Sequence, residues 1–277
     1  MEGPVRLGGM ALENGVLVHG PTHWAAAVRT EDGGIKVASG AKSLRSQGIK
    51  SPFVRGPLRL AEAFAVLPAV RRALPEARFP YERPRVLAGL AGSAALARGV
   101  RGSRLSPVSQ ETVAAFLALA PAVLALRGST LAAYHGAEHV SIGSYEHGEE
   151  RTRVHERCGS HLVGPLLVTS AAGSLAARLV PPHVRLLTRA GAAVGAVAAS
   201  VEAFSWMLRN EEHPLARALA KPGHELQERV LTADPTTEQL EVANAALEEC
   251  LRLESPDSER GRAVSRDRDA DAEAPPT

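Results

Sequence analysis

Residues 134–161, YHGAEHVSIGSYEHGEERTRVHERCGSH, concentrate the ligand and proton-transfer chemistry of the chain. They contain five of its ten histidines and one of its two cysteines. His135, Glu138 and His139 form the pattern His-x-x-Glu-His. On a helix this spacing sets the two imidazoles four residues apart on one face, with the carboxylate beside them. The stretch therefore predicts a helix from which two side chains reach one divalent ion.

The nearest general motif is the inverted zincin pattern, in which two histidines bind zinc and the glutamate acts on the activated water. On this hypothesis His135 and His139 are metal ligands and Glu138 is the general base. His155 and Cys158 follow closely in the chain, and Cys and His are the ligands that zinc and its neighbours prefer. The alternative is a solvated helix start whose imidazoles pair with carboxylates.

The number of protein ligands separates a catalytic from a structural metal site. A catalytic zinc usually takes three protein ligands and leaves one position for water, whereas a closed four-ligand shell is structural. His155 and Cys158 are candidates to complete the site. The sequence also offers three distal carboxylates as a third ligand, Glu202, Glu211 and Glu212. A closed shell would consist of His135, His139, His155 and Cys158.

The runs AYHGAEHVSIGSYEHGEE (133–150) and VHERCGSH (154–161) resemble the signature of the bacterial YqhQ-like family, domain of unknown function 1385. Residues 7–29 and 222–251 resemble the opening and closing blocks of that family. The resemblance implies a multi-pass membrane protein that has been predicted to depend on a metal, with no established reaction. The family usually carries Gln where this chain has Met10 and Glu where it has Asn14.

Short apolar runs near the N-terminus predict a small sheet. Between Gly15 and Ala38, the runs GVLVHG, HWAAAVR and GIKVAS are separated by Gly-Pro and Asp-Gly-Gly, which predicts a three-stranded antiparallel meander. His19 and His23 lie at its first turn and are interpreted as surface histidines. A role for them near a metal would require the sheet to fold against residues 134–161.

The remaining chain favours helices, because its apolar residues are mostly Ala, Val and Leu and only 4% of all residues are aromatic. A helix with a kink or restart at Pro68 is predicted over residues 58–74. A short helix starting at His213-Pro214 should break at Lys221-Pro222-Gly223. An amphipathic helix is predicted over 238–253, after an N-cap in 234–238. Ala-rich helices are predicted at 86–100, 112–126, 162–180 and 190–208.

The predicted fold class is therefore α+β, mainly α. It has a β-rich N-terminal segment at 1–56, followed by a domain at 57–253 that is a bundle of Ala-rich helices and contains the His/Glu/Cys cluster. The last part of the chain is charged and lacks apolar periodicity, so a disordered tail is predicted at 254–277.

The Ala-rich helices leave membrane hairpins and a soluble bundle about equally open. Residues 86–100 and 112–126 are shorter than the ~20 residues that span a bilayer, whereas 162–180 and 190–208 are closer to that length. The family resemblance favours the membrane. We therefore predict a cell-membrane protein whose metal-site region and C-terminus face the cytoplasm, with a cytoplasmic protein as the alternative. If the helix at 190–208 lies in a membrane, Glu202 becomes a candidate functional residue. An ionisable group inside a membrane is costly and usually pairs with another group or belongs to a functional site.

The composition of the chain limits the classes of ligand and partner that we expect it to bind. The net charge of +2 and the absence of a basic stripe with interleaved aromatics argue against nucleic acid. Two cysteines, Cys158 and Cys250, provide no disulfide framework and fit a reducing compartment. The expected cofactor is a divalent metal, with zinc favoured by the ligand types. A small-molecule or peptide substrate and a homo-oligomer are further expectations.

Three classes of function remain open. The first is a metal-dependent enzyme, a hydrolase by its motif, with Glu138 as base and Tyr145 or Tyr134 stabilising an oxyanion. The second is a non-catalytic membrane scaffold or regulator with a structural metal. The third is a membrane protein that handles ions or small ligands through Glu202 and the histidines. An open coordination position favours the first, a four-ligand shell the second, and a polar path into the apolar helices the third.

Overall fold

The computed structural model describes residues 4–43, 48–49, 51–181 and 183–255. Their first part forms an antiparallel sheet whose strands follow chain order, each pairing with the next. The strands are β1 (Gly8–Leu12), β2 (Gly15–His19), β3 (His23–Arg29) and β4 (Ile35–Ala41). The predicted meander is confirmed. It has one more strand than predicted, because the Gly8-Gly9 pair makes β1 only weakly apolar in sequence.

Helices follow the sheet, as the predicted fold class requires. Those in the described residues are α1 (Pro52–Ala65), α2 (Leu67–Ala73), α3 (Pro84–Arg101), α4 (Pro107–Leu126), α5 (Thr130–His147), α6 (Val163–Ala176), α7 (Arg185–Met207), α8 (Pro214–Leu226) and α9 (Thr237–Glu254). The predicted restart at Pro68 is confirmed, since this proline lies in the first turn of α2, where a missing N–H costs nothing. The predicted N-cap of α9 is Thr236, which forms a capping box with Gln239.

The predicted break at Lys221-Pro222-Gly223 is wrong. Helix α8 continues through Pro222 to Leu226 and is followed by a π-helical turn over Gln227–Leu231. Close packing explains this continuation, because a Cβ placed on Gly223 would lie 2.5 Å from the carbonyl oxygen of Ser160. Contacts with the rest of the fold thus outweigh the local preference of proline to end a helix.

Both faces of the sheet are covered by helices. Alternate residues of β2 point to opposite sides, so Val16 and Val18 pack with α5 and α9, while Leu17 packs in a second cluster that includes Val70 of α2. The first cluster also contains Ala137 of α5. This packing places one face of α5 against the sheet and fixes where its histidines project.

Helices α3 and α4 form an antiparallel hairpin. The Ser93 hydroxyl donates to the carbonyl of Leu117, and the Arg101 guanidinium lies 3.2 Å from the Glu111 carboxylate. Ser93 and Leu117 are 24 positions apart in the chain, whereas Arg101 and Glu111 are only 10 apart. Contacting residues are thus closer in sequence toward the turn, as in any antiparallel pair of helices. The turn of this hairpin, residues 102–106, therefore lies at the end of the bundle far from α5.

Helices α6 and α7 form a second antiparallel hairpin. The hydroxyls of Thr169 and Ser200 lie 2.9 Å apart, and a Cβ on Gly173 would lie 3.1 Å from the Cβ of Ala192. Small residues at these crossings let the two backbones approach closely. Glu111 at the start of α4 lies 3.7 Å from Arg178, just beyond the end of α6, so both hairpins turn at the same end of the bundle.

Two helical segments, Val108–Leu126 and Leu187–Met207, are long and apolar enough to cross a membrane by length and composition. Only 28% and 22% of these windows are buried, so the described part of the chain leaves them largely uncovered, unlike the core of a soluble protein. Large apolar side chains exposed on the two hairpins include Leu87, Leu90, Leu96, Val113, Phe116, Leu124, Val168, Leu187 and Val194. These features support membrane association. The orientation in the membrane stays a prediction.

The predicted lengths of the apolar helices need correction. Helix α6 ends at Ala176 and has 14 residues, so it is shorter than the predicted 162–180 segment. Helix α4 starts at Pro107, five residues before the predicted 112–126 segment, and so reaches 20 residues. The domain boundaries at 56 and 253 stay predictions. Of the predicted tail, residues 256–277 lie outside the described residues.

Candidate metal centre

The His-x-x-Glu-His pattern lies within helix α5, as its spacing predicts. The hydroxyl of Ser129 caps the first turn by accepting from the Ala132 N–H, and Gly148 ends the helix in the left-handed conformation at φ 69°. Glu138 and His139 are buried in this helix. The helix therefore holds its polar face rigidly inside the protein.

His135, His139 and Cys158 come together in one group. One potential ligand atom from each residue lies within 4.8 Å of the others. The His135 Nε2 and Cys158 Sγ atoms are 3.6 Å apart, and the centres of the two imidazole rings are 4.3 Å apart. Cys158 caps a short 3-10 helix, Gly159–Leu162, which brings its thiol over the polar face of α5. Three soft and borderline ligands thus converge on one point.

Hydrogen bonds to the backbone fix both imidazoles. His135 Nδ1 lies 2.9 Å from the carbonyl oxygen of Leu231, and His139 Nδ1 lies 2.7 Å from that of Arg153. A carbonyl can only accept, so each Nδ1 carries the proton and each Nε2 presents a lone pair to the group. Metal-binding histidines are commonly held in this way by their second nitrogen.

The Nε2 atom of His139 is the feature that fits a metal best. It is buried and has no hydrogen-bond partner among the described residues. A buried acceptor without a partner is rare in proteins because it loses its bonds to water. Burial also lowers the pKa of His139, which keeps the imidazole neutral and able to bind a cation. The residues present therefore fit a divalent ion held by His135, His139 and Cys158.

A cavity of about 390 Å³ opens beside this group, and Glu138 lines it together with His135 and Cys158. Burial raises the pKa of the Glu138 carboxyl, although the neighbouring His135 and His155 act in the opposite direction. Strand β1 forms one wall. A Cβ on Gly9 would lie 2.3 Å from Glu138 Oε1, so only glycine leaves room for the carboxylate at this position. Sequence reasoning missed this role of Gly9.

The interpretation of His23 as a surface histidine is wrong, and His19 is only partly exposed. His19 lines the same cavity, and burial together with the neighbouring Lys42 lowers its pKa to about 4. His23 is buried beside Glu254. The sheet folds against α5 and α9, which buries His23 and part of His19, and this is the arrangement that a role near the metal would require. His19 contributes a neutral imidazole to the cavity wall.

His155 lies beside the three-residue group and is engaged by another partner. Its ring centre is 5.5 Å from that of His139, and its Nε2 atom is 3.0 Å from Glu146 Oε2. Arg157 donates to the second oxygen of Glu146 at 2.7 Å. Burial raises the pKa of Glu146, but the hydrogen bonds from His155 and Arg157 outweigh it and lower the pKa overall. The structure thus brings three of the four proposed His/Cys ligands together.

The structure does not bring the distal carboxylates to the group. Glu202 of α7 pairs with Arg55 of α1, with 2.6 Å between Glu202 Oε2 and Arg55 Nη2. Glu211 lines a different cavity, between α7 and α8. Glu212 is fully exposed and lies 4.0 Å from Arg217. The packing of α7 against α1 holds Glu202 in this pair, whereas Glu211 and Glu212 lie in the turn between α7 and α8.

The two tyrosines also lie outside the cavity wall. The Tyr145 hydroxyl accepts a hydrogen bond from the Val5 N–H at 3.0 Å, which fastens the start of the chain to α5. Tyr134 is buried in the cluster between the sheet and α9, where burial raises its pKa against the effect of Arg29. The oxyanion role assigned to either tyrosine stays a prediction.

Gln227 is a supporting residue that sequence reasoning missed. It is fully buried, its carbonyl accepts from the His155 N–H at 2.9 Å, and its amide donates to the Ser160 hydroxyl at 2.7 Å. It therefore clamps the chain on both sides of Cys158. The same π-helical turn ends at Leu231, whose carbonyl holds His135. The only sequence signal was that these residues fall in the block resembling the family's closing block.

We expect Gln227→Ala to lower the free energy of unfolding by about 2 kcal/mol, because it leaves a buried N–H and a buried hydroxyl without partners. The measurement is urea denaturation followed by circular dichroism. Gln239→Ala is the control, because Gln239 is a partly exposed capping residue and should cost about 1 kcal/mol or less. Equal losses in the two variants would contradict the clamp.

A comparison with known protein families found a match to the part of the chain that contains the candidate metal centre. Residues 128–253 match the family described as "Protein of unknown function (DUF1385)". This region holds α5, the metal-ligand group and α9, and its match to the family model confirms the resemblance of residues 133–161 and 222–251 to that family. Two features therefore characterise this region: it matches a family of unknown function, and it contains a His/Cys group that could hold a metal ion.

One relative is the "Uncharacterized protein YqhQ" of Bacillus subtilis (strain 168). It is 32% identical over 133 residues, which cover 44% of this chain and 41% of the relative. The chain thus spans less than half the length of this relative. No solved structure matches the chain.

Proposed function

We propose that the chain is a metal-dependent enzyme, in the hydrolase class, that works at the membrane. The observation that carries the proposal is His139, whose buried Nε2 atom has no hydrogen-bond partner among the described residues. Potential ligand atoms, one each from His139, His135 and Cys158, lie within 4.8 Å of one another, beside a cavity. Imidazole and thiolate ligands fit zinc. When bound, zinc would supply a Lewis acid that activates water.

The ligand count favours catalysis over a structural role. Two histidines and one cysteine make three protein ligands, the number that leaves one position open in catalytic zinc sites. His155, the residue that would close the shell, is hydrogen-bonded to Glu146 at 3.0 Å. The cavity beside the group offers space for a substrate.

Glu138 is the residue we assign to proton transfer. It lies one turn from His135 and directly before His139 on α5, and it lines the cavity. Burial raises its pKa, which brings the carboxyl closer to the working pH and makes it a better general base. Gly9 leaves the space in which the carboxylate can take up a proton from water.

A structural metal in a membrane scaffold or regulator is the second candidate, and one observation favours it. The ring of His155 is only 5.5 Å from that of His139. A turn of this ring away from Glu146 would supply a fourth ligand and close the shell, as in structural sites. The two candidates therefore differ in the state of His155 and in whether water reaches the ion.

We expect Glu138→Gln to keep the bound metal and to lower hydrolysis at least ~100-fold, the usual contribution of a general base. Metal content is measured by mass spectrometry, and turnover with a panel of ester, amide and phosphoester substrates. Glu248→Gln is the control, because Glu248 is exposed on α9 and should change neither quantity.

Three outcomes decide between the candidates. A metal-loaded wild type that hydrolyses a substrate, together with an inactive Glu138→Gln variant, supports the enzyme. Full activity in that variant contradicts the role of Glu138. A wild type that holds metal, resists chelators and hydrolyses none of the panel supports the structural site.

A further inference from the structure

We propose that the end of the bundle where both hairpins turn binds the phosphate group of an anionic phospholipid. This site is separate from the candidate metal centre and does not depend on the proposed function. It is a cavity of about 810 Å³, called here the arginine cavity, between α3, α4, α6 and α7. Its polar lining consists of Arg98, Arg101, Glu111, Ser170, Ser174 and Arg189.

The position of the arginine cavity follows from the two hairpins. Arg98 and Arg101 lie in the last turn of α3, Glu111 lies near the start of α4, and Arg189 lies near the start of α7. Helix α4 has 20 residues and is about 30 Å long. Its other end leads into α5, so the arginine cavity and the candidate metal centre lie at opposite ends of this helix.

Positive charge in the arginine cavity exceeds the negative charge available to balance it. The Glu111 carboxylate already contacts Arg101 at 3.2 Å and Arg178 at 3.7 Å. Among the described residues, the guanidinium groups of Arg98 and Arg189 have no hydrogen-bond or ion-pair partner. The Arg178 Nε atom is buried and also lacks a partner within the described chain. The lining of the cavity thus contains three guanidinium groups and one carboxylate, and this excess of positive charge favours an anionic ligand.

The chemistry of the lining favours phosphate among anions. Guanidinium groups present paired N–H donors that match two oxygens of a phosphate, and they are less strongly hydrated than ammonium groups. Ser170 and Ser174 add two hydroxyl donors, neither of which has a side-chain hydrogen bond within the described chain. Several donors from separate helices therefore surround one cavity.

A phospholipid explains the surroundings of the cavity better than a free phosphate. The two candidate membrane segments begin here, at Val108 and Leu187. Leu179 and Leu187 expose 88% and 80% of their surface beside the arginines. Apolar side chains next to guanidinium groups match a ligand that has both acyl chains and a phosphate.

Calorimetric titration of the full chain in a neutral detergent tests this proposal. The probes are short-chain phosphatidylglycerol, short-chain phosphatidylcholine and inorganic phosphate. We expect phosphatidylglycerol to bind more tightly than either of the others. The double substitution Arg98→Gln with Arg189→Gln should weaken its binding by about 30-fold, because each arginine attracts the anionic lipid independently.

The matched control is Arg127→Gln with Arg209→Gln. These exposed arginines lie at the opposite ends of α4 and α7 and carry the same charge, so this variant should bind phosphatidylglycerol like the wild type. Equal weakening in both double variants, or equal binding of the two lipids, would overturn the proposal. Phosphate that binds as tightly as phosphatidylglycerol would overturn the lipid as the ligand. Thermal melting by circular dichroism checks that both variants are folded.

Discussion

Replacing both His135 and His139 by alanine is expected to reduce the metal content of the purified chain from near one ion to near zero. The two imidazoles supply two of the three converging ligand atoms, and Cys158 alone cannot hold a divalent ion in competition with water. The measurement is mass spectrometry of metals on protein purified without a histidine tag. Zinc is the metal that we expect to find.

The matched control for this experiment is His183→Ala with His224→Ala. Both histidines are exposed and lie outside the three-residue group, so their removal should leave the metal content unchanged. Equal loss in both double variants would mean that the metal binds without a defined site. Absence of metal from a folded wild type would sink both metal hypotheses and leave the histidines as a polar network in a membrane scaffold.

Gly136→Ala is expected to lower the free energy of unfolding by about 3 kcal/mol, at the upper end of the cost of overpacking. A Cβ on Gly136 would lie 2.1 Å from the carbonyl oxygen of Ala233. The obstacle is backbone, held in place by a hydrogen bond of 2.9 Å from the Ala233 N–H to the carbonyl of Ala132. To relieve this clash, α5 must separate from residues 231–233. That movement would also draw the Leu231 carbonyl away from His135.

Gly143→Ala, in the same helix, is the control. Its new Cβ would lie 3.3 Å from the Cβ of Arg151 and 3.4 Å from Cδ2 of His155. These contacts need a shift of only a few tenths of an ångström, so the loss should stay below about 1 kcal/mol. Chemical denaturation followed by circular dichroism measures both variants. Helix propensity alone favours alanine over glycine by about 1 kcal/mol. A Gly136→Ala variant as stable as the wild type would therefore show that α5 does not pack closely on residues 231–233.

Short-range patterns were sufficient to predict much of the fold. The spacing of His135, Glu138 and His139 predicted a helix, and the alternating runs between Gly15 and Ala38 predicted strands. Pro68 marked the start of a new helix, and residues 234–238 marked the cap of the last one. In each case the cause lies within a few residues, in backbone torsions, caps and turns.

The predictions that failed were those that depend on distant packing. Pro222 does not end α8, because Gly223 brings the helix against Ser160. His23 is not at the surface, because the sheet folds against α9. Strand β1 was missed because its Gly-Gly pair carries little apolar signal, although Gly9 of this pair is needed for the close approach to Glu138.

The sequence by itself determined the candidate ligands, the helix that presents two of them and the likeness to a family of unknown function. The tertiary structure decided that Cys158 joins His135 and His139, that His155 turns to Glu146 and that Glu202 pairs with Arg55. The physical reason is distance along the chain. Spacing controls which residues share a helix face, whereas the third ligand and the cavity walls come from segments that only the packing of the whole chain brings together.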